Sequence, residues 1–220
     1  LMELRGLASF IMWRYDDDGK LIVDTTPEDD GIFVVDLASS LGATQANITG
    51  MSTTPEKVYG SNAVAEQTIG VIQPAVALAA NDIPHKVYDV YAGLQEDTVN
   101  GGMAAKSGVI TTGGLIIKST DRTGHVDAYI AFPLGIYTPG QLNLQTNQQN
   151  PTVVHDALTF SPQARASDQL VYQKFYSDDE QFDYQKMLAF IANGYVAKAD
   201  ATTTTTTTKA TTTTSTTATA

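Results

Sequence analysis

The residues that most often carry out chemistry are scattered through this sequence of 220 residues. The histidines His85, His125 and His155 fall on three predicted elements, and none has the H-x-x-x-H or H-E-x-x-H spacing of a zinc site. No G-x-S-x-G motif offers an acyl-transfer serine, and Gly113-Gly114 leads into a strand without the GK[ST] of a phosphate-binding loop. We therefore predict no catalytic residue, no metal site and no cofactor, and we expect the histidines at surface or interface positions.

Three runs of carboxylates are the other candidates for chemistry. The run Asp16–Asp18 with Gly19 is similar to the start of an EF-hand loop, but Pro27 stands where the twelfth-position glutamate would be. A solvated turn is the better interpretation. The runs 28–30 and 178–180 are typical of a loop and of a helix start. Paired acids for glycoside hydrolysis need a fixed separation, which a sequence does not contain.

The composition excludes several classes of function. Net charge is −11 with a pI near 4.5, which disfavours binding to nucleic acid through phosphate neutralisation. No cysteine is present, so disulfides and thiolate metal sites are excluded. Only 17% of residues are charged, which is low for a solvated surface. Such a chain covers much of its surface with copies of itself, or is simply a β domain rich in threonine and glutamine.

No targeting signal is visible in the first residues. The N-terminal stretch LMELRGLASFIMWRYDDDG has an early acid and no small-residue cleavage site, so it is not a signal peptide. No run approaches the roughly 18 apolar residues of a membrane helix. We expect the protein to stay in the cytoplasm of the cell that makes it until it is assembled.

Hydrophobic patterning predicts a mainly β fold, an antiparallel sandwich or barrel, and no β-α-β alternation. A D-G turn is expected to join the first two strands into a hairpin, and a further short strand is possible near Val109-Ile110. Outside the central hairpin described below, strands are predicted at 7–15, 20–23, 31–36, 114–120, 125–133, 135–146, 151–160 and 168–176.

Two short helices are predicted. The first follows residue 80, is capped by Asn81 or Asp82 and ends at Gly93. The second, near 178–193, is predicted to begin with an S-x-x-E capping box at Ser177. Its apolar stripe, which fits a core or a subunit contact, consists of Tyr184, Met187, Leu188 and Ile191.

The stretch 43–93 organises the rest of the chain. Residues 43–49 alternate polar with small or apolar side chains, and 64–80 form a long run rich in Val, Ile, Thr and Ala. The polar segment between them contains Pro55 and the turn triplet Gly60-Ser61-Asn62. Two extended segments around such a linker predict a long β-hairpin arm with an irregular tip.

Several segments in this order resemble one family. ANITG, KVYGSN, QPAVALAANDIP, PTVVHDALTFSPQA and the closing FDYQKMLAFIANGY are similar to segments of the major tail protein of long, non-contractile phage tails from Gram-positive hosts. The resemblance implies a structural virion protein whose hexameric rings stack into a tail tube, through which DNA passes on ejection into the host. Implied partners are further copies of the chain, a tape-measure protein, and the tail terminator and distal tail proteins.

The resemblance covers roughly 43–195 and is weak before that. We therefore expect residues 1–42 to form an N-terminal hairpin or arm of the same domain, and 43–195 to form the tube domain. Residues 196–220 are expected to be a disordered tail or a linker, because fourteen threonines in the last twenty residues cannot bury enough surface to offset chain entropy.

Two sets of residues are candidates for roles in a tube. A bore that lets DNA slide needs a wall without cations, and two stretches offer polar, uncharged faces, although the solvent face of an ordinary sandwich would look the same. Candidate lumen-facing residues are Gln45, Asn47, Thr49, Gln141, Asn143 and Gln145. Candidate ring or inter-ring contacts, at the tip of the long hairpin, are Met51, Pro55, Val58, Tyr59, Asn62 and Val64.

Two other functions compete with a tube subunit. A cell-surface β-sandwich adhesion or carbohydrate-binding module with a threonine-rich stalk would also fit the composition, but no secretion signal supports it. An enzyme of an unrecognised type would need a cleft with converging polar groups. Glycan binding by the monomer would favour the first alternative, and turnover or a cofactor would favour the second.

Overall fold

The computed structural model describes residues 3–23, 30–141 and 156–196. The prediction of a mainly β, antiparallel protein is confirmed, with three short helices in the described residues. The strands are β1 (Leu4–Arg14), β2 (Ile32–Val35), β3 (Ala43–Thr49), β4 (Glu56–Gly60), β5 (Ala63–Thr68), β6 (Ala75–Ala80), β7 (Leu94–Glu96), β8 (Met103–Ala105), β9 (Thr111–Asp121), β10 (Asp127–Pro139), β11 (Asp156–Pro162) and β12 (Gln173–Tyr176). The helices are α1 (Leu37–Ser40), α2 (His85–Tyr91) and α3 (Tyr184–Ile191).

Eight strands form the main sheet, in the order β2-β1-β9-β10-β11-β6-β3, with β12 beside β10. The long strand β10 pairs with β9 along one edge, and its other edge is shared between β11 and β12. The pairs β4–β5 and β7–β8 form separate two-stranded sheets. Every pair is antiparallel, as expected for a chain of hairpins.

One side of the main sheet holds the larger core. Alternate residues of each strand point to this side, and α2 covers it with the buried side chains Val87 and Tyr91. The rings of Tyr91 and Tyr137 meet edge to face at 5.0 Å. The sheet curves so that β1 approaches β3 across this core. The largest side chains here with no exposed surface are Phe10, Met12, Leu115, Phe132 and Phe160.

The other side of the sheet is covered by α3 over part of its area. Met187, Leu188 and Ile191 are buried against it, which confirms the predicted apolar stripe. Tyr15 fixes the end of this helix, because its hydroxyl accepts a hydrogen bond from the Asn193 backbone N–H at 3.1 Å. The strand residues beneath α3 are Ile11, Trp13, Ile116, Tyr129 and Ala131.

The predicted N-terminal hairpin forms only close to its turn, and the prediction missed the main partners of β1. The Gly19 N–H donates to the Asp16 carbonyl at 3.0 Å, and across this turn the Asp16 N–H donates to the Lys20 carbonyl and the Ile22 N–H to the Arg14 carbonyl. These bonds flank a bridge between Tyr15 and Leu21. Both edges of β1 are instead used by β2 and β9. Those pairings place the apolar residues of β1 inside two cores, which a short surface hairpin could not do.

Both predicted helix starts are also wrong. No side chain caps α2, whose N-cap is Pro84, and the Asn81 side chain donates instead to the Leu41 carbonyl at 2.8 Å. The cap of α3 is Asp183, which accepts from two backbone N–H groups of the first turn. Ser177, the predicted cap, accepts a hydrogen bond from the Asp127 N–H of β10.

Several strand limits differ from the prediction. The strands predicted at 125–133 and 135–146 form one continuous strand in the described residues, β10, which ends at Pro139 and pairs with β9 on both sides of a register shift between Phe132 and Gly135. Ile110 lies outside any strand and is 63% exposed, whereas β7 and β8 occupy the connection before it. Of the strand predicted at 168–176, only β12 forms. Residues 142–155 and 197–220, including Asn143, Gln145 and His155, lie outside the described residues.

Candidate assembly surfaces

The most exposed part of the described chain is a β-hairpin arm, which we define as residues 50–74. It leaves the main sheet at the end of β3, where Thr49 pairs with Ala75, and contains β4 and β5. The prediction of a long hairpin is confirmed, but the run 64–80 is divided into β5 and β6 by an irregular segment. Near its base, the Thr53 hydroxyl donates to the Gly70 carbonyl at 3.1 Å.

The tip of the arm is a tight turn at Ser61-Asn62, between the paired residues Gly60 and Ala63. Both turn residues have positive φ, 51° and 65°, which is the backbone of a type I′ turn and matches the twist of two antiparallel strands. Asparagine tolerates this conformation better than most residues. The sequence signal for the turn was therefore correct, but the predicted irregular tip is wrong, because β4 and β5 pair right up to this turn.

Every residue of β4 and β5 is exposed. Tyr59 pairs with Val64 on one face of the hairpin, and these side chains are 69% and 44% exposed. A two-stranded hairpin that buries nothing is at best marginally stable in water. Exposed apolar side chains on such an element are typical of a surface that another molecule covers.

All six predicted contact residues lie on the arm. Met51 is half-buried at its base, and the other five, including Asn62 in the turn, are exposed. Sequence reasoning missed Ile69 and Val71, which are 74% and 78% exposed. Their position in an apolar run favoured a buried strand, and the nearby Gly70 and Pro74 were the available signals of a break. The predicted contacts that are exposed are Pro55, Val58, Tyr59, Asn62 and Val64.

A second surface is the part of the main sheet that α3 leaves uncovered, which we call the uncharged face. It consists of the outward side chains of β3, β6, β11 and the last residues of β10. One row runs across all four strands, pairing Asn47 with Ala77, Ala77 with Thr159, and Thr159 with Thr138. A second row begins with Thr49 and Ala75. No outward residue on these strands is ionisable.

The uncharged face and the surface under α3 are two parts of one side of the sheet. Alternate residues of β9 connect them, with Thr112 opposite Ile136 and Ile116 opposite Ala131. Ile116 and Ala131 lie in the core beneath α3, whereas Thr138 at the end of β10 is exposed. Within the described residues, the chain therefore covers one half of this side with a helix and leaves the other half open.

Three of the predicted lumen-facing residues, Gln45, Asn47 and Thr49, are exposed on the uncharged face. Gln141 is exposed just after β10, and the last two, Asn143 and Gln145, lie outside the described residues. Sequence reasoning missed the alanines of β6 and the threonines of β10 and β11. The alternation of Ala with Val and Leu in AVALAA was the available signal for an outward row of alanines.

Some charged side chains of the described residues form pairs within a loop or between neighbouring strands. The Arg165 guanidinium donates two hydrogen bonds to the Asp168 carboxylate, at 3.1 and 2.6 Å, and this lowers the pKa of Asp168 to about 2. Lys118 lies 2.7 Å from Asp127 and over the ring of Tyr129. No group of three potential metal ligands occurs in the part of the chain that the structure describes. Within that part, no helix is long and apolar enough to cross a bilayer.

The chain is similar to a known protein family over most of its length. A family model described as "Phage tail tube protein" matches residues 2–200 of the chain. The match includes residues 1–42 almost entirely, where the resemblance in the sequence is weak. No curated protein sequence matches the chain. The family model carries no information about the host, so a Gram-positive host stays a prediction.

Proposed function

We propose that this chain, which belongs to the phage tail tube protein family, polymerises through its arm into stacked rings that form the wall of the tube. The protein is a structural component of the virion tail. We assign it no catalytic role. In this proposal the rings contain six copies, as the family resemblance implies, and the assembled tube is the conduit for DNA during ejection.

The arm is the observation that carries this proposal. Its strands bury no residue within the subunit, so the subunit alone does not supply the contacts that a stable hairpin needs. A neighbouring copy can supply them by covering Tyr59, Val64 and the apolar residues at the base. A head-to-tail contact of this kind propagates from copy to copy without limit. Tube length must then be set from outside, which is the role we assign to a tape-measure protein.

Closing a ring also protects the edges of the main sheet. The end strands β2 and β3 each have one neighbour in the sheet, and an unpaired edge invites uncontrolled pairing. A ring presents such edges to defined neighbours. The two ends of the stack differ in a head-to-tail tube, so we propose that a tail terminator binds one end and distal tail proteins bind the other.

We further propose that the uncharged face lines the bore. DNA phosphates bind clustered Lys and Arg and release counterions, so a wall of Asn, Thr and Ala lets DNA slide. Charge on the wall matters more than the total of −11, because the potential of a charge decays over about 8 Å at physiological salt. Gln45, Asn47 and Thr49 are the polar residues that we place on this wall.

Residues 1–42 are best assigned to the same domain as 43–195. The pairing of β1 with β9 supports this assignment, because it places the N-terminal strand in the interior of the main sheet. Residues 196–220 would then be a threonine-rich tail or linker outside the tube domain.

Electron microscopy of the purified chain, concentrated stepwise, tests the proposal. Hollow tubes with six-fold symmetry in end-on views are expected. Tubes with another symmetry would overturn the proposal of six copies in each ring but not the proposal of a tube. A chain that stays monomeric at all concentrations, also when seeded with pre-formed tail tips, would contradict self-assembly, and glycan binding by that monomer would favour the adhesion module.

A further inference from the structure

A rigid apolar corner lies at residues 36–42, which we call the α1 corner. Asp36 caps the single turn of α1 by accepting from the N–H groups of Ala38 and Ser39, both at 2.9 Å. The Ser39 hydroxyl bonds in return to the Asp36 N–H and to the Val34 carbonyl. The corner is therefore held in one conformation by the subunit itself.

The corner exposes two leucines. Leu37 is 78% exposed and Leu41 is 62% exposed. The Leu37 side chain lies over the backbone of Gly42, within 3.8 Å of where a Cβ would stand. Two large apolar side chains thus flank Gly42 on a fixed surface, and the described part of the subunit does not cover them.

Leu41 is also in a conformation that disfavours leucine. Its φ is 51° and its ψ is 20°, the left-handed region that usually holds Gly or Asn after a helix. The Asn81 side chain, bonded to the Leu41 carbonyl, helps to hold it there. Strained backbone of this kind clusters at functional positions, so strain and exposure at one residue indicate a binding surface.

The α1 corner and the arm lie at opposite ends of the same two strands. β3 begins beside the corner at Ala43 and ends at the arm with Thr49, and β6 runs back from Ala75 to Ala80. At the corner end, the Asn81 N–H donates to the Gly42 carbonyl at 3.1 Å. The seven residues of β3 separate the two surfaces, a length of roughly 23 Å.

We propose that the α1 corner of one subunit binds the arm of the next subunit in the tube, with Leu37 and Leu41 covered by Tyr59 and Val64. This inference rests on the proposed function and names the partner surface of the arm. The occupant is a second copy of this chain, because a corner and an arm at opposite ends of β3 and β6 let copies in one orientation join head to tail, as the proposed tube requires. Such a contact repeats along the axis without closing. Because the corner is already rigid in the free subunit, only the arm loses conformational entropy when the two bind.

Disulfide trapping tests the contact directly, because the chain contains no cysteine. Tubes are assembled from a mixture of Leu41→Cys subunits with either Tyr59→Cys or Val64→Cys subunits, and are oxidised with oxidised glutathione. A disulfide needs Cα atoms within about 7 Å, so we expect crosslinked dimers from at least one of these mixtures. Val99, 87% exposed on the β7–β8 connection, gives the control: Val99→Cys mixed with the arm variants should stay uncrosslinked.

The outcomes separate this inference from the proposed function. Tubes that form but give no crosslink between arm and corner would overturn the inference and leave the proposed function standing. Crosslinks in the Val99→Cys control mixtures but not in the Leu41→Cys mixtures would also overturn the inference and leave the proposed function standing. If no mixture and no wild-type sample forms tubes, the proposed function fails, and this inference fails with it.

A second variant uses the strain at Leu41. Leu41→Asn suits a left-handed backbone, so the subunit should fold and its melting temperature should stay equal or rise. The concentration needed for tube formation should rise at least about tenfold, because an apolar contact is lost. Val99→Asn, the matched control at an exposed apolar residue, should leave that concentration unchanged. Equal assembly of Leu41→Asn and wild type would overturn the inference.

Discussion

Gly50 and Gln73 meet at the base of the arm so closely that no side chain fits between them. A Cβ on Gly50 would overlap the Gln73 carbonyl, and the φ of Gly50 is +68°, where residues with a side chain are strained. The first residue of the arm is thereby fixed against one of the last. The direction in which the arm leaves the sheet depends on this contact.

Substitution of Gly50 should therefore affect assembly more than folding. We expect Gly50→Ala to displace the base of the arm and to abolish tubes or raise the assembly concentration at least about tenfold. The melting temperature should fall by no more than roughly 2–8 °C, because the positive φ costs alanine about 1–2 kcal/mol and both cores lie outside the arm. Turbidity and electron microscopy measure assembly, and calorimetry measures stability.

Gly70, on the other side of the arm, is the matched control for Gly50. A Cβ there meets nothing within 4 Å, so Gly70→Ala should assemble like wild type. Normal tubes from Gly50→Ala would show that the arm base does not direct assembly.

A cation on the uncharged face should make the tube bind DNA. We expect tubes of Asn47→Lys to retain a labelled duplex at low salt and to release it as salt rises, because each ring would present lysines to the phosphates. Wild-type tubes should retain far less. Co-sedimentation of tubes with the duplex over a salt series measures the effect.

Two variants control for the Asn47→Lys experiment. Asn47→Asp changes the same position without a cation and should not retain DNA. Gln181→Lys adds a lysine at an exposed residue just before α3, which we place outside the bore, and should also not retain DNA inside the tube. Equal retention by Gln181→Lys and Asn47→Lys would refute a bore lined by the uncharged face.

The Tyr15 hydroxyl should contribute measurably to stability. It accepts from the Asn193 N–H and lies 3.1 Å from the Pro133 carbonyl, to which it donates. Tyr15→Phe leaves both backbone groups without this partner, at a cost of about 1–2 kcal/mol. For a chain of this length the melting temperature should fall by roughly 2–8 °C. The same change at Tyr176, 37% exposed on β12, should have almost no effect, and an equal loss at both positions would contradict the assigned role.

Tyr137 should make stability fall at alkaline pH. Its ring is buried and its hydroxyl donates to the Gly114 carbonyl, and burial raises its pKa well above 10.0. The unfolded chain ionises this hydroxyl near pH 10, whereas burial keeps it neutral in the folded chain. The contribution of Tyr137 to the free energy of unfolding is therefore complete below pH 10 and is lost progressively above it. Ionisation in the unfolded state should remove about 1.4 kcal/mol of wild-type stability by pH 11.

The comparison with Tyr137→Phe shows that titration. At pH 8 the variant should be about 1 kcal/mol less stable than wild type, because the Gly114 carbonyl loses its donor. At pH 11 the difference should disappear or change sign, since phenylalanine does not ionise. Urea unfolding at both pH values measures it, and a difference that does not depend on pH would refute the assignment.

Local sequence signals predicted some features correctly and others not. The Ser61-Asn62 turn and the stripe of α3 depend on residues close in the chain, and both were found. The main partners of β1 were missed, because β1 packs into both cores by pairing with β9, which lies about a hundred residues later in the chain. No local signal in the first residues indicates that partner. The cap at Asp183 was missed because Ser177 offered the same local signal, and only the pairing of β10 with β12 directs Ser177 elsewhere.

The candidate surfaces show the same limit. Alternation in β3 identified Asn47 as outward, but not which strands continue its face, because that depends on the order of strands in the sheet. Leu41 could not be found from sequence at all. Leu41 was chosen as a contact residue because it combines a positive φ with high exposure. Neither property can be predicted from the segment LASSLGA.

Hydrogen exchange of the arm, compared between free subunits and assembled tubes, tests the central claim most directly. The backbone amides of 56–68 belong to an exposed two-stranded hairpin in the subunit, so they should exchange within seconds when subunits are free. In tubes a neighbouring copy should cover them and slow exchange by orders of magnitude, while the amides of β9 stay slow in both samples. Fast exchange of the arm in both subunits and tubes would contradict the claim that the arm joins one copy to the next.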